Sequence, residues 1–89
     1  MLIVRFTHRF KKNYTKVERS GKDLSNVKTI VLELRKGNPI EKSFRDHPLK
    51  GNYKDCRECH LASDLLLIYY IKNDELILVD IGSHTELFE

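Results

Sequence analysis

A chain of 89 residues, a third of them charged and 40% hydrophobic, has the make-up of one small folded domain, spanning residues 1–89. At this length it buries only about 60% of its unfolded surface, which argues against a deep cofactor pocket. The net charge of +3 hides an asymmetry: residues 1–57 carry 15 Lys/Arg against 6 Asp/Glu, whereas residues 58–89 carry 1 against 7. A basic front half attracts polyanions through phosphate contacts, and a solvated helical surface is the plainer reading of the same charges. Residues 1–6 are too short and too charged for a secretory signal, and no apolar run approaches the roughly 20 residues of a membrane span. The chain reads as cytoplasmic, with no membrane partner and with two cysteines as free thiols.

Residues 2–6 form a compact β-branched and aromatic run, a first strand. Thr7 can cap a helix carrying Phe10, Tyr14 and Val17 on one stripe, with Arg9, Lys11, Lys12 and Lys16 around it. Asp23 is the expected N-cap of a second helix with Leu24, Val27, Ile30, Val31 and Leu34 on one face. Gly37, followed by Asn38 and Pro39, stops it. A loop follows to about Asn52. Residues 53–60 stay open between strand and helical turn, because Lys54, Asp55, Arg57 and Glu58 favour neither strongly. Residues 65–71 are continuously apolar, which predicts a strand buried on both faces. Lys72, Asn73 and Asp74 form a turn into a return strand over residues 76–81. Ser83 and Glu86 have capping-box spacing, so the chain should end in a helical turn that places His84 at the mouth of the last strand. The order strand, helix, helix, strands predicts an α+β fold with a two-helix hairpin on a largely antiparallel four-stranded sheet.

Cys56-Arg57-Glu58-Cys59-His60 spells the attachment signature of a c-type haem. The missing export signal, a methionine only at position 1 and the charged composition all argue against it. If the segment is a strand, Cys56 and Cys59 also face opposite ways and share neither a haem nor a disulfide, and a zinc site built from them with His47 and His60 is weakened in the same way. His47, His60 and His84 stand in three segments, each beside an expected strand end, and Asp64 opens the buried strand. Taken singly each is an ordinary surface or hydrogen-bonded histidine, and so is His8. Together with a carboxylate they suit proton transfer near neutral pH. With the basic front half, this points to RNA cleavage through the 2′-hydroxyl, which needs a base, an acid and cations on the phosphate. Tyr53 or Phe88 could stack on a base, and Phe88 serves equally well as an apolar plug for the last turn.

The strings Asp46-His47-Pro48-Leu49-Lys50-Gly51, Arg57 with His60 and Asp64, Ile68-Tyr69, and Gly82-Ser83-His84-Thr85-Glu86-Leu87-Phe88 together resemble the YafQ-type toxins of the RelE/ParE superfamily. The resemblance covers nearly the whole chain. It implies the toxin half of a type II toxin-antitoxin pair: a ribosome-dependent mRNA interferase with a microbial-ribonuclease-like sheet, which cuts mRNA in the ribosomal A site and is neutralised by a cognate antitoxin. It also implies a strand over residues 53–60. By the same resemblance His47, His60, Asp64 and His84 are acid-base positions and Phe88 is the C-terminal aromatic. It puts Lys54 and Arg57 at matching basic positions that could contact phosphate, and Lys50 and Tyr53 are further candidate RNA-binding residues beside them. No cofactor or metal is implied. Two positions depart from the pattern: Asp80 stands where an arginine is usual near the end of the last strand, and Leu65 where an aromatic often follows the aspartate. The first leaves open which cation serves the phosphate, with Arg57 or Lys54 as the candidates. The alternatives are a gyrase poison of the ParE type, which would not need the histidines, and a non-catalytic RNA-binding module. A haem protein would betray itself by colour.

Overall fold

Thr7 shows how local chemistry and tertiary packing combine in this chain, whose computed structural model describes residues 1–88. Strand β1 (Ile3–Phe6) ends there and helix α1 (His8–Arg19) begins. The Thr7 hydroxyl accepts the Phe10 N–H at 2.9 Å, as an N-cap does. The same hydroxyl donates to the Val79 carbonyl at 2.6 Å, which fastens the helix start to strand β5 (Glu75–Gly82). Helix α1 buries Phe10 and Val17.

Helix α2 (Ser25–Lys36) buries Val27, Ile30 and Leu34. Its start corrects the expectation for Asp23. Leu24 occupies the cap position without a side-chain bond, and the Asp23 carboxylate accepts the Ser25 N–H at 2.9 Å from one residue further out. Leu24 packs against the core, so apolar burial, not side-chain capping, decides where the helix begins. Gly37 ends α2 in the left-handed region at φ 76°, where a side chain would be strained.

Among the described residues the sheet has five strands, in the order β1-β5-β4-β3-β2, not four. The extra one is β2 (His47–Pro48), too short to read from sequence, paired antiparallel with β3 (Arg57–Ala62). Strands β3, β4 (Leu65–Lys72) and β5 form an antiparallel meander, and β1 adds to β5 in parallel. Strand β3 starts at Arg57, not at Tyr53. Residues 51–53 form a 3-10 turn, Asp55 has φ 74°, and the Cys56 N–H donates to the Tyr53 carbonyl at 2.9 Å, so the chain turns a corner before the strand begins.

Strand β4 is buried on both faces, as its apolar run predicts. Leu65, Leu67 and Tyr69 enter the main core under the helices, while Leu66 and Ile68 join Leu87 in a second cluster on the opposite face. Ile71 departs from this and is about half exposed. Register shifts leave Leu61 unpaired between His60 and Ala62, and Val79 unpaired between Leu78 and Asp80. Such bulges re-aim neighbouring side chains. Both lie beside residues that matter below.

Candidate active site

Strand alternation sends the residues of β3 to opposite faces. Cys59 and Leu61 enter the helix-side core, and Arg57 joins them by pairing with Asp46 at 3.3 Å. Glu58 and His60 face the other way and line a cleft of about 370 Å³. One side of this cleft is formed by Arg45, His47, Glu58 and His60, and the other by Asp64, His84 and Phe88.

Contacts fix the state of both inner histidines. The Arg45 guanidinium can only donate, so at 3.0 Å from its Nη2 the Nδ1 of His60 is the acceptor. The proton of neutral His60 then sits on Nε2, which lies 2.9 Å from Glu58 Oε1, close enough for charge attraction. Burial lowers the pKa of His60, the Arg45 charge adds to this, and Glu58 opposes it. His47 has the other tautomer. Its Nδ1–H donates to the Arg45 carbonyl at 2.6 Å, leaving Nε2 3.8 Å from Glu58 Oε1, a distance for charge attraction and not for a hydrogen bond. Glu58, itself buried, thus stands between two imidazoles whose rings are 5.8 Å apart.

Helix α3 (His84–Phe88) builds the second side. The predicted capping box is present: the Ser83 N–H donates to Glu86 Oε1 at 2.8 Å and the Glu86 N–H to Ser83 Oγ at 3.1 Å. Asp64, in the turn between β3 and β4, accepts the backbone N–H of His84 at 3.3 Å and so ties that turn to α3. A Cβ on Gly82 would lie 3.2 Å from Glu86 and 3.5 Å from Leu87, so the bare glycine lets α3 fold back closely on β5. His84 meets Phe88 edge to face at 5.2 Å, and Tyr53 meets the same ring at 5.7 Å.

The structure therefore gathers His47, His60, Asp64, His84 and Phe88 around one cleft. Lys50 and Tyr53 line a neighbouring cleft that shares Phe88. Lys54 is exposed and lines neither. Arg57 is held on the far face of the sheet. Sequence reasoning missed Glu58 and Arg45. Period-two alternation with His60 marks Glu58 as sharing its face, once the strand that the resemblance implies over residues 53–60 is used to sort the faces. Arg45 depends on a left-handed residue, φ 48°, at the end of the 3-10 turn Lys42–Phe44, and no sequence signal announces it.

The cysteines take no part in the cleft. Cys59 is fully buried on the helix side, where burial pushes its thiol up to about 12. Cys56 belongs to the opposite cluster, and both are free. A different trio could hold a metal: the donor atoms of His47, Glu58 and His60 lie within 4.8 Å of one another, and two imidazoles with a carboxylate suit copper, zinc or nickel. No helix among the described residues is long and apolar enough to cross a membrane.

The profile of a family described as bacterial toxin of type II toxin-antitoxin system, YafQ, matches residues 2–89. The mRNA interferase toxin YafQ of Escherichia coli K12 is 27% identical over 86 residues, covering 96% of this chain and 94% of that protein. Among solved structures, a copper-bound mutant toxin from Helicobacter pylori superposes with a TM-score of 0.94 at 44% identity, covering 99% of this chain and 100% of the other. YafQ in the Escherichia coli DinJ-YafQ complex superposes with a TM-score of 0.89 at 26% identity, covering 100% of both chains.

Proposed function

The chain belongs to the YafQ family of bacterial type II toxin-antitoxin toxins, and from this we propose that it is an mRNA interferase, an endoribonuclease that cuts messenger RNA in the ribosomal A site and is neutralised by a cognate antitoxin. One observation carries the chemistry: His60, with Arg45 on one ring nitrogen and Glu58 beside the other, shares an open cleft with His84 and the Phe88 ring. The Escherichia coli relative bears the interferase name, and the DinJ-YafQ complex supplies the precedent for the antitoxin.

His60 is the general base. Glu58 lies 2.9 Å from its Nε2 and favours the proton there, so Nδ1 is the atom that takes the proton of the 2′-hydroxyl. In the free protein Arg45 covers that lone pair. An arriving phosphate offers the guanidinium a better partner, and its transfer there uncovers Nδ1 while placing a cation on the charge that develops at phosphorus. The 2′-oxygen then attacks phosphorus, the bond to the 5′-oxygen breaks, and the departing oxygen needs a proton from the opposite side. His84 gives it. The products are a 2′,3′-cyclic phosphate and a free 5′-hydroxyl. Asp64 keeps His84 in place through its backbone, and His47 stands 3.8 Å from Glu58 on its other side. Phe88 and Tyr53 present faces and edges on which a base can stack.

The copper-bound relative suggests an inhibitor of the same site. A copper ion held by His47, Glu58 and His60 would draw Glu58 away from His60 and so disable the base.

Primer extension on messages after induction of wild type, His60→Ala and His84→Ala tests the proposal. Each variant should lower cleavage by about 10² to 10⁴ fold. Undiminished cleavage and growth arrest by both would reject it. Arrest with intact transcripts, persisting when His47, His60 and His84 are all replaced, would point to a gyrase poison instead.

A further inference from the structure

Helix α1 supplies a cation where the last strand has an aspartate. Asp80 is fully buried at the β5 bulge. Its Oδ1 accepts Asn13 Nδ2 at 2.7 Å and the Ile81 N–H at 2.8 Å. Its Oδ2 has no hydrogen bond, yet Arg9 Nε lies 2.9 Å away, close enough to neutralise it though not aligned to bond. A buried carboxylate without this neighbour would be costly, so Asp80 holds Arg9 at the sheet end. The Arg9 side chain is nonetheless 63% exposed, which leaves guanidinium N–H groups free for a ligand.

Those groups border a second cleft of about 430 Å³, whose other sides are Lys50, Asn52, Tyr53, Leu87 and Phe88. Phe88 also lines the histidine cleft, so the two meet at one aromatic ring. The second cleft joins two cations, an amide and two aromatics, which is the equipment for one nucleotide: charge for the phosphate and rings for the base. From Arg9 the helix continues through Lys12 and Lys16, three and seven residues on, along the adjoining surface.

We propose that Arg9, positioned by buried Asp80, and Lys50 form a second RNA subsite, which grips the phosphate next to the scissile one on the far side of Phe88. This rests on the endoribonuclease reading and extends it. Arg9 is a binding residue here and Asp80 a positioning residue.

The test is fluorescence anisotropy with labelled, uncleavable 2′-O-methyl RNA, comparing a nonamer with a trimer, for wild type, Arg9→Ala and Lys50→Ala. Lys50→Ala is included because it leaves Asp80 paired, whereas Arg9→Ala strips a buried carboxylate of its cation and can weaken folding. Each variant should lose about tenfold in nonamer binding and reduce the salt slope by about 0.7, the release expected for one phosphate contact on a single strand. The preference for nonamer over trimer should shrink by a similar factor. Asp80→Asn should mimic Arg9→Ala in binding, since the arginine loses its anchor. If Arg9→Ala and Lys50→Ala bind the nonamer as wild type does while His60→Ala still abolishes cleavage, the subsite is overturned and the endoribonuclease stands. If wild type neither binds nor cleaves RNA, both fail.

Discussion

The two faces of β3 treat polar groups in opposite ways. On the helix side, the Asp46 carboxylate accepts the Tyr69 hydroxyl at 2.6 Å, Arg57 at 3.3 Å and the Cys59 thiol at 3.6 Å. Tyr69 and Cys59 are almost wholly enclosed, and burial raises the pKa of both. That network is closed and holds its protons. On the cleft side, Glu58 has two histidines, at 2.9 and 3.8 Å, and the second nitrogen of His60 is covered by the side chain of an exposed arginine. A satisfied network stabilises a fold, whereas an open one with replaceable partners can move protons. Neighbouring residues of one short strand thus divide the two tasks between them.

The open face should answer in chemistry. An RNA whose leaving 5′-oxygen is replaced by sulfur needs no acid, because a thiolate departs unaided. On that substrate His84→Ala should recover most of its 10² to 10⁴ fold deficit, about the size of one acid-base contribution, while His60→Ala should recover none. Recovery by His60→Ala instead would exchange their roles.

The closed face should answer in stability. Asp46→Ala leaves the buried Tyr69 hydroxyl without an acceptor, at a cost of about 1 to 3 kcal/mol, and each kcal/mol lowers Tm by roughly 4 to 8 °C in a domain of this size. Arg57 is 43% exposed and can turn to water, so it should add little. Asp46→Asn keeps an acceptor and should recover part of the loss. An unchanged melting curve for Asp46→Ala would show that the network holds nothing together.

The smallest effect is the most specific. Because burial and Arg45 lower the pKa of His60, the acid limb of the kcat/KM profile should fall below the ordinary imidazole value of 6.5. Glu58→Gln removes the group that opposes this and should move the limb further down, whereas Arg45→Ala should move it up. Stability follows the same sign. The unfolded chain binds the His60 proton more readily than the folded one, so this contribution is complete above the unfolded value and is lost as pH falls through the folded one. Limbs that coincide in all three proteins would remove His60 from the role of base.

Much of the architecture was legible because it rests on neighbours in the chain. The Thr7 cap, the Gly37 stop, the turn at Asn73 and the Ser83 to Glu86 box are each set within a few residues. The apolar run of β4 could hardly be anything but a strand covered on both faces. Where neighbours disagreed, the reading faltered. Lys54, Asp55 and Glu58 are poor strand formers, and only pairing with β2 and β4 draws residues 57–62 into the sheet. Asp23 is a good cap by type, yet burial of Leu24 moved the helix start past it. His47, His60, Asp64, His84 and Phe88 were nominated by residue type and then by family resemblance, and their convergence on one cleft is a matter of topology.

By itself, then, the sequence determined an α+β chain of two amphipathic helices and a hydrophobic meander, together with the residue types able to move protons on RNA. Those properties depend on side-chain chemistry and on spacings of two to four residues, which any chain of this pattern expresses locally. Tertiary structure alone decided which side of β3 each residue serves, that Arg45 and Glu58 set the state of His60, and that Asp80 meets Asn13 across 67 positions of chain and holds Arg9 beside it. Such contacts are chosen by register and by two bulges, and a shift of one residue would reverse every one of those assignments.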